Sequence, residues 1–187
     1  MGIEPVYPFA EQLKKPLPNW GKFSDLPAGI TVHYTADDSL ERSINSLRVA
    51  NLGYHILIDR YGVCHQAALF TEHVYHAGKA LWLGNRPNST HIAVSLVSWG
   101  KLSHGKSWRG DVIPESEITE GQGGQWHKAT EAQETALMDL LKWLVGQGID
   151  SRHICGHDEC AIPPGRKVDP GGILQMTMAD YRRFLGG

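Results

Sequence analysis

The stretch Tyr54-His55-Ile56-Leu57-Ile58-Asp59-Arg60-Tyr61-Gly62-Val63-Cys64-His65-Gln66-Ala67 decides the fold. Two largely apolar runs flank a turn at Arg60-Tyr61-Gly62, which is the pattern of a β-hairpin. Upstream, Ile30-Thr31-Val32-His33-Tyr34 alternates apolar and polar residues as a half-buried strand does. Asp37 or Asp38 is placed to cap a following helix, in which Leu40, Ile44 and Leu47 fall at helical spacing and beyond which Gly53 lies. Downstream, His91 to Ser98 (HIAVSLVS) is apolar enough to be a central strand. Thr130 and Gln133 form a capping box opening a helix with the stripe Ala136, Leu137, Leu140, Leu141 and Leu144, ending near Gly146 or Gly148. A short strand at His153-Ile154-Cys155, a Pro/Gly loop to Gly172 and a helix from about Thr177, with Met178, Tyr181 and Leu185 inward, complete the chain. A hairpin among strand–helix units implies an α/β (α+β) fold, with a central mixed β-sheet flanked by helices.

Two stretches lack such periodicity. Residues 1–28 are interrupted by Pro5, Pro8, Pro16 and Pro18 and read as an irregular N-terminal segment. Residues 100–129 are polar and Gly-rich, with Gly121, Gly123 and Gly124 close together, and read as a long loop or flap. The 187 residues suit one domain, 1–187, with a sizeable core.

Composition removes several classes of function. Apolar residues make up 41% and charged residues 20%, which excludes a disordered chain, a coiled coil and a collagen-like repeat. With 18 Lys+Arg against 20 Asp+Glu the net charge is -2, so no cation excess is available for a phosphate backbone and no nucleic acid partner is expected. No apolar run is long enough for membrane insertion, and the Pro-broken N-terminus carries no signal-peptide pattern, so the expectation is a protein cytoplasmic as synthesised. Cys64, Cys155 and Cys160 are too few for a disulfide framework and fit a reducing compartment. Ten histidines stand out against four Met and four Phe.

The chemistry concentrates in Gly156-His157-Asp158-Glu159-Cys160-Ala161-Ile162-Pro163-Pro164-Gly165-Arg166-Lys167-Val168-Asp169-Pro170-Gly171. A loop stiffened by Pro and Gly can hold metal ligands, and a catalytic zinc site needs three of the His/Asp/Cys kind with one position open. His157 and Asp169 are two candidates, and His33, near the end of the first strand, is the natural third. His55, His65, His73 and His153 read as structural or surface residues.

In order along the chain, Thr31-Val32-His33-Tyr34-Thr35, Gly53-Tyr54-His55-Ile56-Leu57-Ile58, His76-Ala77-Gly78, the strand Ile92 to Leu96 and GHDE...PPGRKVDPGG resemble the zinc-dependent N-acetylmuramoyl-L-alanine amidases of type 2. These share the fold of the peptidoglycan recognition proteins and the phage lytic amidases. The resemblance implies hydrolysis of the amide between the lactyl group of N-acetylmuramic acid and L-alanine, on peptidoglycan or a muropeptide, by a monomer. It implies Zn2+ on His33, His157 and Asp169, with Cys160 a less favoured third ligand. Lys167 matches a lysine that binds the scissile carbonyl, and Tyr54 a tyrosine important for catalysis. His76, Trp82, Asn88 and His91 fall where the family lines its muropeptide groove or cleft.

Two features depart from the pattern, one being Cys160 and the loop length that sets His157 and Asp169 twelve apart. Where recycling enzymes carry a glutamate base on the central strand, this chain has Ser95, as the phage amidases also lack that glutamate. Among Glu115, Glu117 and Glu120, one reaching over the site would replace it. The leading reading is a phage-type endolysin that acts on the wall after release. A cytosolic anhydro-muropeptide recycling amidase, a delivered toxin, a non-catalytic peptidoglycan-binding module and a zinc hydrolase of another substrate are the alternatives.

Overall fold

A computed structural model describes residues 2–186; Met1 and Gly187, the ends of the expected 1–187 domain, lie outside the described residues. The main sheet holds β1 (Glu11–Gln12), β2 (Gly29–Tyr34), β3 (Ile56–Ile58), β4 (Cys64–Gln66), β5 (His91–Leu96) and β9 (Ile154–Gly156), in the order β1-β4-β3-β5-β2-β9. A smaller sheet holds β6 (Lys101–Leu102), β7 (Ile118–Gly121) and β8 (Gly124–His127), and the helices are α1 (Leu40–Ala50), α2 (Pro87–Thr90), α3 (Glu131–Gly146), α4 (His157–Cys160) and α5 (Met178–Gly186). The hairpin forms as expected, with β3 and β4 antiparallel, while β2, β5 and β9 run parallel. The sheet is mixed, and β5 is central.

Alternation along these strands sorts the molecule into two sides. Ile30, Val32, Ile92, Val94, Leu96, Ile56 and Ile58 form one buried cluster with Leu137, Leu140, Leu141 and Leu144 of α3 and with Met178 and Tyr181 of α5. Thr31, His33, Ala93 and Ser95 are the intervening residues, fully buried on the other side. There α1 covers Leu57 through Ile44, together with Leu17 and Ala67.

Helix ends follow the side chains at hand. The N-cap of α1 is Ser39, not Asp37 or Asp38: its hydroxyl accepts from Arg42 N–H, while Asp37 instead accepts from Ser39 N–H and from the Arg42 guanidinium. The helix stops at Asn51, which takes the left-handed conformation at φ 55, before the expected Gly53 is reached. The capping box of Thr130 and Gln133 forms as read.

Two expectations are corrected. The N-terminal segment is not wholly irregular, because Glu11–Gln12 adds an edge strand to β4 and Ile3 and Tyr7 enter the core. Nor is 100–129 a loop throughout, since 101–102, 118–121 and 124–127 form the antiparallel sheet β6-β8-β7 and only 103–117 between β6 and β7 stay largely irregular. Its hairpin turns at Gln122-Gly123, both at positive φ (45 and 74), as a two-residue turn of primed type requires. Strands this short carry too few residues for a visible period. Trp126 of β8 is buried against Gly171 and Gly172, where a Cβ on either glycine would collide with the indole. The small sheet thereby props the segment directly after Asp169.

Candidate metal centre

His33 lies near the carboxyl end of β2, fully buried on the polar side of the sheet. His157 opens α4 directly after β9, and Asp169 ends the following loop. The Asp158 N–H donates to the Asp169 carbonyl at 2.7 Å, which folds the loop's end back onto the start of α4. Arg182 of α5 fastens that corner, donating to both carboxylate oxygens of Glu159 and to the Ile154 carbonyl at 2.8 Å each. As a result His33 Nδ1 lies 2.8 Å and His157 Nδ1 3.0 Å from one atom, Asp169 Oδ2. The three ligand atoms lie within 4.8 Å of one another, and all three residues are buried.

The charge states suit a divalent cation. Burial pushes His33 down to about 4, against the raising pull of Asp169, so its imidazole is neutral near pH 7. Burial by itself would raise Asp169, but hydrogen bonds with His157 and His33 outweigh it and hold the carboxyl well below the usual carboxylate range. Two imidazoles and one carboxylate are the donor set of a catalytic zinc site, three protein ligands with one position left over. Cys160 faces elsewhere: its Sγ lies 3.6 Å from the His157 carbonyl, and it packs with Ala77, Ala80 and Cys155.

The groups expected around the centre divide. The Tyr54 ring sits 5.0 Å from the His33 ring, and burial, then the charge of Asp169, push its phenol above the ordinary range, so it stays protonated and able to donate. Lys167 is exposed, two residues before Asp169, and takes no part in the ion pairs of the centre. Ser95 pairs in register with His33 and is fully buried. Glu117 and Glu120 are engaged elsewhere, Glu117 with His127 at 2.9 Å and Arg60 at 3.2 Å, Glu120 with Gln125 at 2.8 Å.

The four residues expected to meet substrate are mostly occupied by the fold. His76 is 7% exposed, with Nδ1 2.9 Å from His33 Nε2 and Nε2 3.2 Å from the Pro87 carbonyl. Asn88 Oδ1 accepts from the His76 and Ala77 N–H groups at 2.9 Å each, and its Nδ2 donates to the Gly78 carbonyl at 3.0 Å. Trp82 covers the Ala77–Cys155–Cys160 cluster, with the Arg182 guanidinium 5.2 Å from its ring. His91 is wholly buried with Nδ1 2.9 Å from Thr31 Oγ1, so it does not reach the cleft; burial, then the charge of His153, push it down to about 3.

Some contacts around the centre left no mark in the sequence. The Ala77 carbonyl accepts from His157 Nε2 and from Arg166 Nη2, both at 2.9 Å. A backbone oxygen carries no residue signature. Arg166 was visible only as a loop cation, although it also donates to the Lys79 carbonyl at 2.8 Å and ties the Pro/Gly loop to residues 77–79. Among the described residues no helix is long and apolar enough to cross a membrane.

Residues 24–172 match the family described as N-acetylmuramoyl-L-alanine amidase. Comparison with curated proteins found no match. Among solved structures, a selenomethionine derivative of AmpD is similar over 99% of both chains, at 19% identity and TM-score 0.64. The endolysin LysCS from Clostridium intestinale is similar over 96% of this chain and 97% of its own, at 14% identity and TM-score 0.64. AmiD from E. coli, solved with anhydro-N-acetylmuramic acid-L-Ala-D-gamma-Glu-L-Lys, is similar at 23% identity and TM-score 0.62 over 80% of this chain, which spans 54% of AmiD. At these identities the likeness is one of fold.

Proposed function

From the premise that this chain belongs to the N-acetylmuramoyl-L-alanine amidase family, we propose that it hydrolyses the amide between N-acetylmuramic acid and L-alanine with zinc held by His33, His157 and Asp169. The observation that carries the reading is the convergence of His33 Nδ1 and His157 Nδ1 on Asp169 Oδ2, at 2.8 and 3.0 Å. When bound there, zinc supplies Lewis-acid polarisation of the scissile carbonyl and activation of the attacking water.

The chain's own residues supply the rest. Lys167, carried on the stiff loop close to Asp169, places a cation where negative charge develops on the amide oxygen. Tyr54, protonated beside His33, would donate a hydrogen bond to the group under attack and orient it. Burial of His33, His157 and Asp169 would withhold bulk water from the side of the centre that they form.

Within the family the reading is a monomeric lytic enzyme of the phage endolysin kind, made in the cytoplasm and reaching the wall after release. Ser95 supports it, since the strand carries no carboxylate of the kind associated with recycling enzymes. The test is mass spectrometry of products after the zinc-loaded protein is incubated separately with intact sacculi and with soluble anhydro-muropeptides, with and without chelator. Chelator-sensitive release of stem peptides from sacculi is the expected result. Release from soluble fragments alone makes it a recycling enzyme, and release from neither, with zinc bound, leaves a binding module.

A further inference from the structure

We propose that His76, held in place by Asn88, is a positioning residue that fixes the His33 proton on Nε2 and thereby turns His33 Nδ1 towards the metal; the inference rests on the zinc reading above. The Pro87 carbonyl, 3.2 Å from His76 Nε2, can only accept. His76 therefore carries its proton on Nε2 and presents a bare Nδ1. That lone pair lies 2.9 Å from His33 Nε2, a contact that is a hydrogen bond only when His33 is the donor. With that proton on Nε2, an imidazole that ligates a metal does so through Nδ1.

The neighbouring residue does the same for the second histidine. The Ala77 carbonyl, also acceptor-only, lies 2.9 Å from His157 Nε2, which puts a proton there and leaves Nδ1 as the nitrogen able to ligate a metal. Both histidines can then turn Nδ1 to a cation beside Asp169 Oδ2, at 2.8 and 3.0 Å, the cation replacing the protons that otherwise hydrogen-bond the two rings to the carboxylate.

Residues 76 and 77 thus select both tautomers, and one side chain holds the pair. Two backbone donors converge on Asn88 at 2.9 Å, which assigns its oxygen to that side, and its amide nitrogen closes onto Gly78 at 3.0 Å. Metal-ligating histidines are commonly oriented through their second nitrogen in this way, and loss of such a partner typically costs 10- to 100-fold in metal affinity. The burial of His76 is the expected consequence, because a residue with both nitrogens engaged inside the protein has no face left for substrate.

The experiment measures zinc affinity of the full chain by competition with a chromophoric chelator, together with the visible spectrum of the cobalt(II)-loaded protein and the melting of the metal-free protein. His76→Phe keeps ring bulk and removes the acceptor; it is expected to weaken zinc binding roughly 10- to 100-fold and to alter the cobalt spectrum, with metal-free melting close to wild type. His76→Asn restores an acceptor near the position of Nδ1 and is expected to recover most of the affinity. Asn88→Ala, which leaves both imidazoles in place, is expected to lose affinity in the same direction. Wild-type zinc affinity in His76→Phe overturns the proposal. So does an equal loss in His76→Phe and His76→Asn accompanied by lower metal-free melting, which would mark a packing role. If His76→Phe does not fold, wild-type affinity in Asn88→Ala overturns it instead. No substrate enters these measurements, so the amidase reading fails separately, through absence of product from the zinc-loaded wild type.

Discussion

The two faces of the central sheet are built from the same strands by alternate residues, yet they obey different rules. Ile30, Val32, Ile92, Val94 and Leu96 meet α3 and α5 through apolar contact, where volume matters and direction does not. Thr31, His33 and Ser95 stand between them, equally buried, and there single atoms decide the outcome: His33 Nδ1 meets Asp169 and its Nε2 meets His76. The lesson is a division of labour at the spacing of one residue. A substitution on the first face changes how often the chain is folded, while one on the second changes what the folded chain can do.

The sharpest way to break that division is to delete a ligand. His157→Ala is expected to lower turnover of muropeptide by about three orders of magnitude, since a zinc ion held there as proposed would supply several kcal/mol of transition-state stabilisation. Its far-ultraviolet circular dichroism and the melting of the metal-free form are expected to stay near wild type. On the opposite face, Leu140→Ala is expected to cost about 2–5 kcal/mol in urea unfolding while kcat of the remaining folded protein is retained. Equal loss of stability in both variants would erase the distinction.

A pH titration probes the buried histidines. Burial pushes His55 down to about 4 and His91 to about 3, so the unfolded chain takes up protons below about 6.5 while the folded chain does not. Their contribution is complete above about pH 6.5 and is lost as pH falls from there towards 4, a total on the order of a few kcal/mol. Urea midpoints of the metal-free protein at pH 7.5, 6 and 5 should therefore decline steadily; a flat series would mean that these rings are solvated.

Smaller effects refine the picture. Lys167→Met is expected to reduce kcat by about 10²-fold with zinc affinity unchanged, as for loss of one oxyanion donor, which single-turnover kinetics would show. Ser95→Ala is expected to change turnover by only about twofold, because a buried hydroxyl is no general base at neutral pH. A large loss there would give Ser95 a direct part in the chemistry.

Most of the sheet was readable because its signals are local. The hairpin 54–67, the capping box at Thr130 and the apolar run from His91 each carry their own pattern. The small sheet was not, because its strands are only two to four residues long and its turn residues, Gln122-Gly123, lie in a Gly cluster that also reads as loop. The centre divides in the same way. His33, His157 and Asp169 were found through motif order, and the structure gathers them around one oxygen. His76 and Asn88 were noticed as polar residues near the groove. That they face inward depends on tertiary partners, the Pro87 carbonyl and the 76–78 backbone, which no local pattern encodes.

The contact of Trp126 with Gly171 and Gly172 constrains how the sequence can drift. Any side chain at either glycine would strike the indole, and a smaller residue at position 126 would leave a hole beneath the segment that carries Asp169. The three positions are therefore expected to change together or not at all among descendants of this chain. Anyone transplanting the small sheet onto another amidase scaffold must carry the glycine pair with it, because the sheet and the metal loop are inherited as one unit.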